Sequence, residues 1–206
     1  MIKKLLIKKA LLVIFISLLV VSGCKKSSPQ EPQKPAETKI SAKTPAKTSA
    51  VSKSLSEVIA RRTSWNPILE NFYGKQMPDF KVTDIAGKVH NLADYKGKTV
   101  MVVMWATWCQ PCLQEIPHIK AMRDIMDSNS LAILAISNEP EATVKAMAKS
   151  EDMNYTVISY QGNLPEPFSN VKGIPTTFYI KPDGKLKLVT EGLSYLGEMK
   201  SIILAE

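Results

Sequence analysis

Two apolar runs organise the middle of the chain, TVMVVMW at 99–105 and LAILAIS at 131–137. Neither alternates with polar residues, so both fit strands covered on two faces. Residues 111–126 and 141–149 read as helices, the second with Pro140 at its first turn, where no N–H partner is needed. A short strand is expected at 155–159. Strands at 177–180 and 186–190 are joined by Lys181-Pro182-Asp183-Gly184, a strong turn sequence, and residues 194–204 close as a helix. Upstream, 80–83 and 88–91 form an expected hairpin turning at 84–87. Ser54 and Glu57 have capping-box spacing and open a short expected helix through Val58 and Ile59 that ends before Pro67. Strands alternating with helices, then a closing hairpin, predict an α/β domain. Its mixed central sheet is flanked by helices and carries an N-terminal β-hairpin extension.

The first 53 residues break this pattern. Lys3, Lys4, Lys8 and Lys9 precede an apolar stretch at 10–21, interrupted only by Ser17, and small residues then lead to Cys24. That is the order of a secretory signal peptide, and the stretch falls short of the roughly 20 apolar residues of a spanning helix. Val21-Ser22-Gly23-Cys24 resembles the lipobox of bacterial lipoproteins. The resemblance implies cleavage before Cys24 and lipid on Cys24, and several acyl chains anchor stably where one does not. An uncleaved anchor and plain secretion are the alternatives, and each exports the body. Residues 24–53 are rich in Lys, Pro, Ser, Thr and Ala and hold no aromatic residue. Such a composition buries too little apolar surface to offset its ordering entropy. The segment reads as a disordered tether with a reach on the order of 30 Å, its lysines suited to anionic lipid heads.

The expected organisation is therefore a signal peptide at 1–23, a tether at 24–53, a short helical lead-in at 54–76 and the folded domain at 77–206. The domain is expected outside the cytoplasm, lipid-anchored in the periplasm or on the outer face of a bacterial membrane. The net charge of +8 changes nothing here: the tether holds seven lysines against Glu31 and Glu37, and the remainder from Ser54 has 16 basic and 17 acidic residues. Nucleic-acid binding needs cations clustered on a folded face, so no nucleic-acid partner is expected.

The cysteines carry the candidate chemistry. Besides Cys24 there are two, in Cys109-Gln110-Pro111-Cys112, after a buried strand and at the start of a helix. A helix N-terminus offers unpaired N–H groups and partial positive charge, which favour a thiolate, the reactive form of cysteine. Two intervening residues on a first turn let the sulfurs approach bonding distance, and Pro111 suits that turn. A redox pair is the leading reading. A structural zinc site needs about four ligands, and only His90 and His118 remain as partners. A purely structural disulfide closing so short a loop would add little stability. No metal and no cofactor are expected.

WATWCQPCLQEIP, followed by GIPTTFYI, resembles the thioredoxin superfamily, and within it the membrane-anchored TlpA/ResA-like branch. The hairpin QMPDFKVTDIAGKVHNLADYKGK also looks like that branch. The resemblance implies a thioredoxin-like fold and a thiol–disulfide oxidoreductase. By it, Cys109 is the exposed nucleophile, Cys112 the buried resolving thiol, and Glu115 a carboxylate that tunes them. It places Trp108, Gln110, Pro111, Ile174 and Pro175 against the substrate, with Pro175 in cis. Simple core packing is the alternative for Trp108, and a solvated helix-face carboxylate for Glu115. Where minimal thioredoxin has a buried aspartate, this chain has Val103, which suits the TlpA/ResA-like branch better. The implied partners are disulfide-bearing exported proteins, possible clients including apocytochrome c, and a transmembrane electron donor. Two other classes stay open at this point: a peroxiredoxin-like thiol peroxidase, whose Pro-x-x-x-Thr spacing is not matched around Thr107, and a thioredoxin-fold copper-binding module, which pairs Cys-x-x-x-Cys with a distant histidine.

Overall fold

The computed structural model describes residues 67–205. The expected signal peptide, Cys24, the tether and the helix opening at Ser54 lie outside the described residues. In chain order come α1 (Pro67–Glu70), β1 (Lys81–Thr83), β2 (Val89–Asn91), a 3-10 turn (Leu92–Tyr95), β3 (Thr99–Met104), α2 (Gln110–Ile125), β4 (Leu131–Ser137), α3 (Glu141–Ser150), β5 (Thr156–Ser159), a second 3-10 turn (Phe168–Asn170), β6 (Thr176–Ile180), β7 (Leu186–Glu191) and α4 (Leu196–Leu204). A helical turn thus begins at Pro67, where the expected lead-in helix was to end. Neither 3-10 turn is visible in the hydrophobic pattern.

The five-stranded sheet has the order β5-β4-β3-β6-β7. β3, β4 and β5 run parallel, while β6 is antiparallel to both β3 and β7. β1 and β2 form the separate antiparallel hairpin. The mixed sheet and the hairpin agree with the pattern-based expectation. The two apolar runs became the central strands because they supply both faces. Met101 and Val103 of β3, with Ile133 and Ala135 of β4, pack beneath α2, α3 and α4. Val100 and Val102, with Ala132, Leu134 and Ile136, meet Leu69, Phe80, Val82, Leu92 and Phe168 on the opposite face. The three long helices therefore share one face, and the N-terminal segment, hairpin and short turns cover the other.

β3 ends at Met104, one residue before the expected boundary. Met104 pairs with Thr176, and the next residue back along β6 is Pro175, which has no N–H for a further ladder rung. The hairpin closes the β5 side of the sheet through Asp84 opposite Ile158 and the Ile85 N–H to the Val157 carbonyl, 3.0 Å. At the other pole, Gly184 has φ +84°, a left-handed conformation that glycine accepts readily, and its carbonyl takes the Met77 N–H. Among the described residues no helix is long and apolar enough to cross a membrane.

Candidate active site

β3 delivers the chain to the carboxyl edge of the sheet, where Trp105 donates its N–H to the Ile136 carbonyl. The loop then turns into α2. Cys109 is the N-cap of that helix, with extended backbone (φ −87°, ψ 101°), and its sulfur accepts the Cys112 N–H at 3.2 Å. One of the helix's otherwise unpaired donors is thus committed to sulfur, the arrangement that stabilises a thiolate. Cys109 and Cys112 are joined, with S–S 2.08 Å and Cα–Cα 5.2 Å. Opposite them, the Ile174–Pro175 bond is cis, and the Ile174 carbonyl oxygen lies 3.6 Å from Cys109 Sγ. A second cis bond, Glu166–Pro167, was not anticipated.

Burial modifies the expected division of labour between the sulfurs. Cys109 is 5% exposed and Cys112 2%, so the expected exposed nucleophile is a buried one in this oxidised state, with its sulfur turned toward the Ile174 carbonyl. What is exposed is its frame: Trp108, 70% exposed, with Gln110 and Pro111. The exposure of Trp108 removes the core-packing alternative. Trp108 and Ile174 also line a cavity of about 580 Å³, with Trp105, Tyr160, Phe168 and Lys172.

Glu115 is not a solvated carboxylate. It is 1% exposed, on the buried face of α2 that also carries Cys112, and its Oε1 accepts the Ser194 N–H at 2.9 Å. Burial first, then the carboxylates of Glu115 and Glu151, push the Tyr155 phenol above its ordinary range. Val103 is buried in β3 among apolar neighbours.

The histidines are apart from the sulfurs. His118 packs edge-on against Tyr195. His90 is buried in the hairpin, with Nε2 2.8 Å from Asp84 Oδ2 and Nδ1 against the Tyr95 hydroxyl. Among the described residues no group of three or more His, Cys, Asp or Glu is placed to hold a metal ion.

One residue of the site has no signal in the sequence. Glu139, in the loop between β4 and α3, accepts both the N–H and the hydroxyl of Thr107, each at 2.7 Å, and the Ser137 hydroxyl at 3.0 Å. Thr107 stands two residues before Cys109.

A mixed five-stranded sheet, a disulfide capping a helix and a cis-proline facing it define a class, the thioredoxin-fold redox proteins. The model of the AhpC/TSA family matches residues 73–189, and the chain belongs to that family. It is 33% identical over 120 residues to the thiol-disulfide oxidoreductase ResA of Geobacillus kaustophilus (strain HTA426), covering 58% of this chain and 69% of the relative. The ResA protein of Bacillus subtilis (strain 168) is likewise 33% identical over 120 residues, covering 58% and 67%. Among solved structures, a putative thiol:disulfide interchange protein DsbE from Chlorobium tepidum matches with TM-score 0.59 and 26% identity, covering 68% of this chain and 97% of that one. The pneumococcal exposed lipoprotein thioredoxin from Streptococcus pneumoniae strain TIGR4 matches with TM-score 0.56 and 26% identity, covering 61% and 98%. With the paired sulfurs in place, these relatives make the chain a thiol–disulfide oxidoreductase.

Proposed function

We propose that the chain reduces disulfides of exported proteins outside the cytoplasm, from a membrane to which Cys24 anchors it by lipid. The observation that carries the proposal is the Cys109–Cys112 bond at the mouth of α2, with the Cys112 N–H on the Cys109 sulfur. In the reduced protein, Cys109 as thiolate attacks one sulfur of a client disulfide. A mixed disulfide forms and the client's other sulfur leaves as a thiolate. Cys112, having lost its proton, attacks Cys109 and frees the second client sulfur. Two electrons pass to the client, and the oxidised pair is reset by a transmembrane electron donor. Glu115 is the proposed proton partner of Cys112, and Trp108, Gln110, Pro111, Ile174 and Pro175 form the client-facing surface. The Ile174 backbone offers an edge to an extended client segment.

The reducing direction is favoured because Gln110 and Pro111 bring no charge to the sulfurs, whereas strong oxidants hold a very acidic thiol. The charge-apolar-small order before Cys24 supports export and lipidation, and a similar solved protein is described as an exposed lipoprotein. The proposed clients include the Cys-x-x-Cys-His haem site of apocytochrome c.

Insulin-disulfide reduction tests the reading. The full chain should turn over with a dithiol reductant, and Cys109→Ser should fall to background while remaining folded. Cys112→Ser should instead accumulate a mixed disulfide. A reduction potential near the strong-oxidant value of about −120 mV would reject the reducing direction.

A further inference from the structure

The clamp between Glu139 and Thr107 is built beyond what a loop contact needs. Both carboxylate oxygens are used: Oε1 takes the Thr107 hydroxyl, and Oε2 takes the Thr107 N–H and the Ser137 hydroxyl. The backbone of Glu139 is fixed as well, its N–H donated to Ser137 Oγ at 3.2 Å and its carbonyl taking the Ser159 hydroxyl at 2.7 Å. The carboxylate is thereby held to the ends of β4 and β5 while gripping the loop that carries the nucleophile. All its donors are neutral, and no lysine or arginine among the described residues forms an ion pair with it. Two residues of extended chain span at most about 7 Å, so the negative charge, 2.7 Å from Thr107, stands within about 10 Å of Cys109. It acts against the helix end, which draws charge onto that sulfur.

We propose that Glu139 is a positioning residue that holds the Cys109 loop through Thr107 and, by its charge, keeps the Cys109 thiol less acidic and the pair more reducing. This rests on the redox role of the pair but not on any client. Partial burial works against ionisation of Glu139, but the bonds from Thr107 and Ser137 outweigh it and hold the carboxyl below its ordinary range. The charge is therefore present wherever Cys109 titrates. The other charged groups around the site are Glu115 on α2, Lys172 and Glu191 on the proline side, with His118 further along α2. None of these is altered in the test.

The test is Glu139→Gln in the full chain, with two readouts: the Cys109 pKa from ultraviolet thiolate absorbance, and the equilibrium with glutathione. In that equilibrium two glutathione thiols reduce the Cys109–Cys112 bond, giving the dithiol and one glutathione disulfide. Two unit charges separated by about 8–10 Å at an effective dielectric of about 30–40 imply a pKa lowered by roughly half to one unit. Above that pKa, the equilibrium should shift toward the dithiol by up to about tenfold, about 30 mV. Thr107→Ala, which loosens the clamp and keeps the charge, should slow disulfide exchange with the Cys109 pKa near its wild-type value. An unchanged pKa and equilibrium in Glu139→Gln overturn the proposal, even if rate or stability falls, since a merely structural clamp would move only those. Should that variant not fold, Asn138→Lys at the exposed neighbouring position offsets the same charge without touching the clamp. It should lower the Cys109 pKa in a salt-sensitive way, and no shift there is equally decisive against it. Insulin reduction by the wild-type chain is read separately, so a failed client reading and a failed Glu139 reading are distinguishable.

Discussion

Two carboxylates near the sulfurs sit in different settings. Glu139 is half-buried and receives three neutral donors. Glu115 is buried beneath α2, and the Ser194 N–H fixes one of its oxygens. A carboxylate three residues along the helix from Cys112 is placed on the same face, where a resolving thiol must lose its proton to attack. Glu115→Gln keeps the volume and an oxygen to accept from Ser194 but cannot carry a proton. It should leave the fold intact, slow resolution of the mixed disulfide by on the order of 10²-fold, and alter the pH–rate profile. Stopped-flow tryptophan fluorescence on reacting pairs checks this, and a wild-type profile in the variant would remove Glu115 from the proton path.

At the scale of elements, α2 and the hairpin are set by their ends. α2 begins on a sulfur cap, so its first turn belongs to the chemistry rather than to a stabilising Ser or Asp. The hairpin is tied by Asp84, which accepts the Ala86 and Lys88 N–H groups, each at 2.9 Å, and faces buried His90. Because an ionised carboxylate only accepts, His90 Nε2 carries the proton. Tyr95, its phenol held protonated first by burial and then by nearby Asp94 and Asp84, meets Nδ1 through its hydroxyl. Partial burial opposes ionisation of Asp84, but the bonds from His90, Lys88 and Ala86 outweigh it and hold its pKa below the ordinary 3.8. A depressed carboxylate pKa contributes stability above the unfolded value, and that contribution is lost as pH falls through the folded one. Asp84→Asn should therefore cost about 1–3 kcal/mol at neutral pH, and the gap from wild type should close below about pH 3.8. Urea unfolding across that range measures it; a gap independent of pH would mean that the charge is not involved.

At the scale of the whole molecule, the proposed membrane attachment of the redox domain rests on the N-terminal sequence. If Cys24 carries lipid, Cys24→Ala should move the protein from the membrane fraction to the soluble exported fraction. The purified variant's insulin reduction should be unchanged, because the folded domain holds both sulfurs. Detergent phase partition with mass measurement of the N-terminal peptide reads the outcome. A Cys24→Ala chain that stays with the membrane would point to an uncleaved anchor.

Much of the site was written locally. The uniform apolar content of 99–105 and 131–137 demanded burial on both faces, and that demand alone placed them centrally. Cys-x-x-Cys on a first helical turn sets its own sulfur distance, and Pro111 suits that turn wherever it stands. These features depend on a few consecutive residues, so spacing and residue type determine them. Other features join distant residues: Thr107 with Glu139, 32 positions apart, and Glu115 with Ser194, 79 apart. The burial of Cys109 against the Ile174 carbonyl and the gathering of three helices on one face are of the same kind. Hydrogen bonds and burial at such separations follow from the path of the folded chain, because a donor meets its acceptor only after strands and helices have packed. Tertiary structure alone therefore decided which donors hold Glu115 and Glu139 and what surrounds the nucleophile.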